Sequence, residues 1–126
     1  MADELLIHIG IEYEKDRQRI LRDPHSASID VTNNRAIDTV QEVGTSEEAI
    51  DFGELDLTAL GWIELRNLNP KGTGATYITV RCASGAGYNF AKLYDDEPFL
   101  IRAGSQTYYV ISSSGTINMQ VRAVET

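Results

Sequence analysis

Few side chains in this sequence have the type and spacing that chemistry requires. The chain has two histidines and one cysteine, and they are widely separated. A structural zinc site brings about four such ligands together, and a nucleophilic cysteine needs a base beside it. His8 could be a ligand or a base, but no partner cluster is visible, so we interpret it as a solvent-facing strand residue. Cys82 fits a small core residue, because it aligns with the apolar face of its segment.

Two short segments resemble ion-binding loops without matching one. Asp95-Asp96-Glu97-Pro98 offers three adjacent carboxylates, which could hold a calcium ion. Their spacing matches no calcium loop, so we predict a solvated acidic turn. Ser84-Gly85-Ala86-Gly87 is glycine-rich, but no lysine or helix follows it, which indicates a loop and not a phosphate site. The sequence therefore assigns no catalytic, cofactor-binding or metal-binding residue, and we predict that the protein is not an enzyme.

The aromatic residues leave a second interpretation open. They could line a sugar-binding face, as in a carbohydrate-binding module, or they could serve packing and interfaces, which we favour. A hydrolase with paired carboxylates is a weaker alternative, because such pairs are set by the fold and not by sequence spacing. The aromatic set consists of Trp62, Tyr77, Tyr88, Tyr94, Tyr108 and Tyr109.

Two-residue periodicity dominates the elements that would position these residues. In Trp62–Arg66, Ile63 and Leu65 share one face and the charged residues share the other, which predicts a central strand buried on one side. The segment 75–82 predicts another strand. Its inward residues would be Ile78, Val80 and Cys82, and its outward residues Tyr77, Thr79 and Arg81.

The remaining segments follow the same design. Residues 4–13 predict one half-buried strand with an apolar face formed by Leu5, Ile7, Ile9, Ile11 and Tyr13. The charge-rich residues 14–23 predict a solvated hairpin or an exposed strand. Residues 45–48 fit either a helix capping box or a turn followed by a strand, and we favour the turn. Residues 99–103 and 107–111 predict a hairpin.

About eight to ten short strands with little helix indicate an all-β protein, an antiparallel β-sandwich or barrel. At 126 residues the chain is expected to form a single domain, residues 1–126. Residues 1–35 either fold into the same sandwich or form an extended arm or hairpin that reaches a neighbouring subunit. The apolar run from Leu5 to Ile11 has to be covered by something.

Composition excludes several classes of partner. There are 11 basic and 19 acidic residues, which give a net charge of −8. Such a surface repels nucleic acid and anionic lipid, and no basic patch offsets it. The beginning of the sequence lacks the pattern of a signal peptide, and no apolar run approaches the ~20 residues that span a bilayer. We therefore expect no nucleic-acid or membrane partner, and assembly in a cytoplasm.

The part of the chain from Val43 onward resembles a group of small structural proteins of tailed bacteriophages. The matching segments are 44–53, the strand 61–69 that ends in Arg66-Asn67-Leu68, the strand 77–80, a hairpin at 90–102 and a final strand from Ile117. The turn Asp95-Asp96-Glu97-Pro98 departs from the Pro-Gly-Glu type of turn that the pattern would have there. Residues 1–40 match nothing in the pattern.

The resemblance implies a jelly-roll-like virion component without cofactors. The expected role is capsid decoration, in which a cement protein binds the major capsid protein or other virion subunits. A homotrimer is favoured, because such proteins often occupy three-fold positions. The acidic exterior suits a protein outside a DNA-filled shell. A tail or head–tail connector component is the alternative within the virion, and a carbohydrate-binding module is the alternative from another class.

Overall fold

The computed structural model describes residues 4–20, 25–30, 35–72, 75–104 and 107–126. The chain divides into two compact units, residues 1–32 and 33–126, which we call the N-terminal unit and the sandwich unit. Within these ranges the structure consists of strands and two 3₁₀ turns, which confirms the prediction of an all-β antiparallel fold. The expectation of a single domain with residues 1–35 as an arm stays a prediction.

The N-terminal unit contains two small antiparallel sheets. Strand β1 (Glu4–Ile9) pairs with β4 (His25–Asp30), and β2 (Tyr13–Lys15) pairs with β3 (Gln18–Ile20). The second pair is the solvated hairpin expected from the charged residues 14–23, and Asp16 adopts a positive φ of 57° in its turn. The predicted strand over residues 4–13 is too long, because β1 ends at Ile9 beside the glycine at position 10.

The described residues of the sandwich unit form eight strands, which are β5 (Ala36–Val43), β6 (Glu48–Ala49), β7 (Leu60–Asn67), β8 (Ile78–Arg81), β9 (Asn89–Leu93), β10 (Pro98–Arg102), β11 (Tyr109–Ser112) and β12 (Ile117–Glu125). They form two four-stranded sheets, ordered β10-β7-β12-β5 and β6-β11-β8-β9. We call these the first sheet and the second sheet. If the strands of this unit are counted in chain order, β5 is the first and β12 is the eighth. The first sheet then has the order 6-3-8-1 and the second sheet 2-7-4-5, which is the strand order of a jelly roll.

This order corrects both predicted hairpins. Strand β10 pairs with β7 in the first sheet, whereas β9 pairs with β8 and β11 pairs with β6 and β8 in the second. The segments 90–102 and 99–111 therefore cross between sheets instead of forming hairpins. The turn at Asp95-Asp96 is present, closed by a hydrogen bond from Glu97 N to Tyr94 O of 3.1 Å. Residues 45–48 form a bend followed by the short strand β6, as predicted.

Alternation along the strands fills the space between the two sheets. Strand β12 is the clearest case, because every second residue from Ile117 to Ala123 is buried. Strand β7 is central in the first sheet, between β10 and β12, and buries Ile63 and Leu65 as its pattern predicted. The buried core consists of Val43, Ile50, Phe52, Leu55, Leu60, Ile63, Leu65, Ile78, Val80, Leu93, Tyr108, Val110, Ile117, Met119, Val121 and Ala123.

The two lateral sides of the sandwich are closed by different chemistry. Beside β9 a bulge leaves Phe90 without a cross-strand partner, and its ring lies 5.6 Å from Phe99 and 6.2 Å from Tyr108. A bulge redirects a side chain in this way. On the other side, the Gln41 amide donates to Ala49 O at 3.0 Å and accepts from Asp51 N at 2.9 Å. Aromatic rings therefore pack at the side formed by β9 and β10, and the Gln41 amide forms hydrogen bonds at the side formed by β5 and β6.

Two side-chain assignments in the predicted strand 75–82 are wrong. Cys82 is exposed instead of buried, because β8 ends at Arg81 and the register shifts there. Thr79, expected to face solvent, is buried. In the sheet it stands between Ile111 on β11 and Lys92 on β9, so a larger residue flanks it on each side.

Candidate functional site

The densest group of polar contacts in the described residues surrounds Glu47. Its carboxylate accepts hydrogen bonds from Gly85 N at 2.8 Å, from Ser84 Oγ at 2.6 Å and from Arg81 Nη1 at 2.9 Å. Arg81 also donates from Nε to Asn89 Oδ1 at 2.6 Å. We call Glu47, Arg81, Ser84, Gly85 and Asn89 the Glu47 cluster.

Each member of the Glu47 cluster is placed by a local feature of the chain. Glu47 lies between the bend after β5 and strand β6, and Arg81 is the last residue of β8. Gly85 has φ of +111°, a conformation that favours glycine because it has no Cβ. That conformation belongs to the glycine-rich loop that the sequence separated from phosphate sites. The loop does hold an anion through a backbone N–H, and the anion is the protein's own carboxylate.

The contacts to Glu47 stabilise its charged form. The hydrogen bonds from Gly85 N, Ser84 Oγ and Arg81 lower the pKa of the Glu47 carboxyl from 4.5 to about 2. A general base works best when its pKa lies near the working pH. A carboxylate with so low a pKa is a poor base for activating the Ser84 hydroxyl. The arrangement is therefore suited to holding the loop at Ser84 and Gly85 against the segment before β6, and not to proton transfer.

The outer face of the first sheet carries a second polar arrangement. Arg122 on β12 lies between Asp38 on β5, with Nε 3.2 Å from Oδ2, and Glu64 on β7, with Nη1 3.5 Å from Oε1. The hydrogen bond from Gln120 and the contacts with Arg122 lower the pKa of the Asp38 carboxyl. These groups are largely exposed, so each pair contributes little to stability. Together they place one positive charge between two negative charges on this face.

The residues singled out from the sequence do not converge. His8 is exposed, and its Nδ1 lies 2.7 Å from Ser26 Oγ on the paired strand β4. Cys82 lies near the Glu47 cluster in sequence, but its Sγ is 3.9 Å from Tyr88 O, which is a weak contact. Asp96 of the acidic turn forms an ion pair with Arg66. In the described ranges, no group of three His, Cys, Asp or Glu side chains is arranged to hold a metal ion.

The aromatic residues fall into separate places instead of one face. Tyr108 is buried in the core, where its hydroxyl accepts from Gly104 N at 2.9 Å. Tyr77 packs on Tyr94 with ring centroids 5.1 Å apart, and the Lys92 Nζ lies 4.6 Å from the Tyr77 ring. Trp62 is on the outer face of the first sheet, with the Arg102 guanidinium 6.0 Å from its ring.

Sequence reasoning missed the buried Asn67. It closes β7 and donates from Nδ2 to Leu93 O at 3.0 Å, while its Oδ1 accepts from Asn69 N at 2.9 Å. Leu93 belongs to the second sheet, so this side chain joins the two layers. The sequence identified Asn67 only as the beginning of a turn, and the available signal was the position of an amide directly after a buried strand.

The arrangement defines a jelly-roll sandwich whose polar groups hold loops and edges in place. No family model, no curated protein and no solved structure matches the chain. In the parts of the chain that the structure describes, no helix is long and apolar enough to cross a membrane.

Proposed function

We propose that the protein is a virion structural protein of a tailed bacteriophage that acts by attachment and carries out no reaction. The specific role we propose is a capsid decoration protein, which binds the major capsid protein and stabilises the head. Support comes from the resemblance of residues 43–126 and from the jelly-roll strand order, an architecture that capsid proteins use. The strand order supports the role by analogy only, because lectin domains share it.

The observation that carries the proposal is the contrast between a closed sandwich and an apolar N-terminal unit. Leu6, Ile9, Ile11 and Ile20 are between 55% and 70% exposed. Large exposed aliphatic side chains supply apolar area that binding to another protein can bury. A decoration protein needs a stably folded body and apolar residues for attachment, and an acidic exterior keeps it off the genome inside the shell.

Binding to phage particles tests the proposal. The full chain and a variant lacking residues 1–32 are each mixed with heads, and separately with tails, from the phage that encodes the chain, and then sedimented. We expect the full chain to sediment with heads and the shortened variant to bind more weakly. A full chain that stays in the supernatant with both would contradict a virion role. Binding to tails, or to the head–tail junction in electron micrographs, would indicate the tail or connector component instead.

The oligomeric state follows from the proposed position. A protein at three-fold positions of a capsid is expected to be a trimer, since symmetric sites are filled by symmetric oligomers. Light scattering on the particle-bound form after its release from heads would give three times the mass of one chain. A released mass of a single chain would remove the trimer from the proposal.

A carbohydrate-binding module is the second candidate, favoured by two exposed rings. Tyr88 lies in the 3₁₀ turn Ala86–Tyr88, and Tyr94 follows β9; both are exposed. Exposed tyrosines stack on sugar rings because they offer apolar faces with a polar tip. A glycan array decides this candidate. Binding that Tyr88→Ala abolishes and Tyr109→Ala retains would establish it, and an array without signal would exclude it for the glycans tested.

A further inference from the structure

Donors from one short stretch of the chain converge on both oxygens of the Glu47 carboxylate. Arg81 Nη1 and Gly85 N donate to Oε1, at 2.9 Å and 2.8 Å, and Ser84 Oγ donates to Oε2 at 2.6 Å. Hydrogen bonds to a charged acceptor are roughly twice as strong as those between neutral groups. The contact therefore consists of a ligand, which is the carboxylate, and a receptor, which is the set of donors on residues 81–85.

Contacts that do not involve Glu47 orient the arginine of the receptor. Arg81 pairs with Tyr109 and Asn89 on the neighbouring strands, and its Nε donates to Asn89 Oδ1 at 2.6 Å. Its side chain is only 12% exposed. A planar guanidinium that is already held in place loses less conformational freedom for each hydrogen bond that it adds. The second sheet therefore presents Nη1 of Arg81 in a fixed direction.

The loop that carries the other two donors has hydrogen bonds of its own. Tyr88 N donates to Gly85 O at 3.1 Å, and Cys82 N donates to Tyr88 O at 3.3 Å. These bonds close the loop on the end of β8, and neither of them uses the segment before β6. The receptor is therefore built from local contacts, whereas its ligand comes from a distant part of the chain.

We propose that Arg81, Ser84 and Gly85 form a carboxylate-binding site in which Glu47 is a tethered ligand, and that a free carboxylate binds there when the Glu47 side chain is removed. The ligand class is a small monocarboxylate. Acetate is the matching probe, because Glu47→Ala removes a methylene and a carboxylate beyond Cβ. In the wild type the tether holds the Glu47 carboxylate at a high effective concentration, which keeps the site filled.

The division of the donors favours a carboxylate over other common anions. A carboxylate is planar and offers two oxygens that each accept more than one hydrogen bond. Oε1 of Glu47 accepts two bonds and Oε2 accepts one. Chloride has a single centre, so it cannot reproduce this division. The donors that hold Glu47 are used by two oxygens, so the further oxygens of a phosphate would not be matched by them.

Titration of acetate into isotope-labelled Glu47→Ala tests the site through the amide resonance of Gly85 in NMR spectra. Sodium chloride keeps the ionic strength constant. We expect the resonance to shift and to saturate at about 10–100 mM acetate, because a few charge-assisted hydrogen bonds give a weak affinity without a tether. The Gly115 amide, in the turn between β11 and β12, is the internal reference and should not shift.

The wild type is the comparison for this titration. Its Gly85 resonance should stay fixed over the same range of acetate, because Glu47 occupies the site. A Gly85 resonance that does not move in Glu47→Ala, or that moves equally in the wild type, would overturn the proposal. Adding Ser84→Ala to Glu47→Ala removes one donor and should weaken acetate binding about tenfold. Unchanged binding by this double variant would remove Ser84 from the site.

Thermal unfolding gives a second readout, which also decides the matter if Glu47→Ala is unfolded without acetate. At 100 mM acetate, compared with the same concentration of chloride, the folded-to-unfolded ratio of Glu47→Ala should rise about 2- to 10-fold, by mass action at the affinity expected above. Glu42→Ala removes the same charge from an exposed position on β5 and is the matched control. Equal effects of acetate on the two variants would overturn the proposal.

This inference stands apart from the proposed function, because it concerns the isolated chain and its tests use no phage particles. Failure to bind heads would leave the carboxylate site intact, and failure to bind acetate would leave head binding intact.

Discussion

In the sandwich unit Ile63 and Leu65 are buried between two four-stranded sheets, whereas in the N-terminal unit the comparable aliphatic residues Leu6 and Ile9 face solvent. Of the described aliphatic side chains of the N-terminal unit, Ile7 is the buried one. Hydrophobic burial is the largest favourable term in folding. The sandwich unit therefore holds most of the stabilising area, and the N-terminal unit retains apolar area that association can bury.

Matched leucine substitutions offer the largest test of this contrast. We expect Leu65→Ala to lower the free energy of unfolding by about 2–5 kcal/mol, because it opens a cavity between the sheets. Leu6→Ala should change it by less than about 1 kcal/mol, since its side chain is already exposed. Urea unfolding followed by circular dichroism, which reports on the strands of both units, measures both. Equal losses at the two positions would mean that the units do not differ in this way.

Asn67 tests whether one buried amide fastens the two sheets. Asn67→Ala leaves the Leu93 carbonyl and the Asn69 N–H without their partner, so we expect a loss of about 1–3 kcal/mol. Asn118→Ala, at an exposed position on β12, is the control and should change stability by about 0.5 kcal/mol or less. Chemical denaturation midpoints compare them, and similar midpoints would contradict the fastening role.

Gly61 tests how closely the sandwich is packed at the end of β12. A Cβ at this position would approach Thr126 Oγ1 and Cγ2 to 2.3 Å, so Gly61→Ala should cost about 1–3 kcal/mol through overpacking. At Gly87 a Cβ meets nothing within 4 Å, and Gly87→Ala is the control. Thermal unfolding separates the pair. A Gly61→Ala variant as stable as the wild type would show that the neighbouring Thr126 moves aside freely.

Glu47 gives the smallest effect and a characteristic pH dependence. Because its pKa is lowered from 4.5 to about 2 in the folded protein, its contribution to stability is fully present above about pH 4.5. It is lost as the pH falls through about 2. We expect Glu47→Gln to be less stable than the wild type at pH 7, with a difference that shrinks between these values. Glu42→Gln removes the same charge from an exposed position on β5 and serves as the control.

The free energies of unfolding of Glu47→Gln and of the wild type are compared from pH 7 to pH 2. If their difference stays constant over this range, the hydrogen bonds from Gly85 and Ser84 do not stabilise the charged carboxylate. Measuring unfolding by denaturant at each pH makes this comparison, because the slope of the transition also reports whether the same surface is exposed.

Periodicity predicted most of the strands and their buried faces, since alternation along β7 and β12 follows directly from residue type. It could not predict which strands pair. Segments 90–102 and 99–111 each contain two consecutive strands, and in a sandwich consecutive strands can equally belong to different sheets. The burial of Thr79 and the exposure of Cys82 also depend on neighbours in other strands, which a single sequence does not specify.

The Glu47 cluster could not be predicted because its parts lie far apart in the chain. Glu47 and Gly85 are separated by 38 positions, and neither segment carries a motif that indicates the other. The sequence predicted a loop at the glycine-rich segment, but it could not identify the Glu47 carboxylate as the group that Gly85 N contacts. The exposed aliphatic residues of β1 were visible in the sequence as a run that needs a cover, and the structure shows that Leu6 and Ile9 are not covered.

Strand β12 has a consequence for the order of folding. It is the last strand of the chain, yet it lies between β5 and β7 in the first sheet and supplies the pairing that joins them. During synthesis on a ribosome, β5 and β7 therefore wait for residues 117–125 to emerge before their sheet is complete. Long-range pairing of this kind slows folding, so this jelly roll closes only after translation of its final segment.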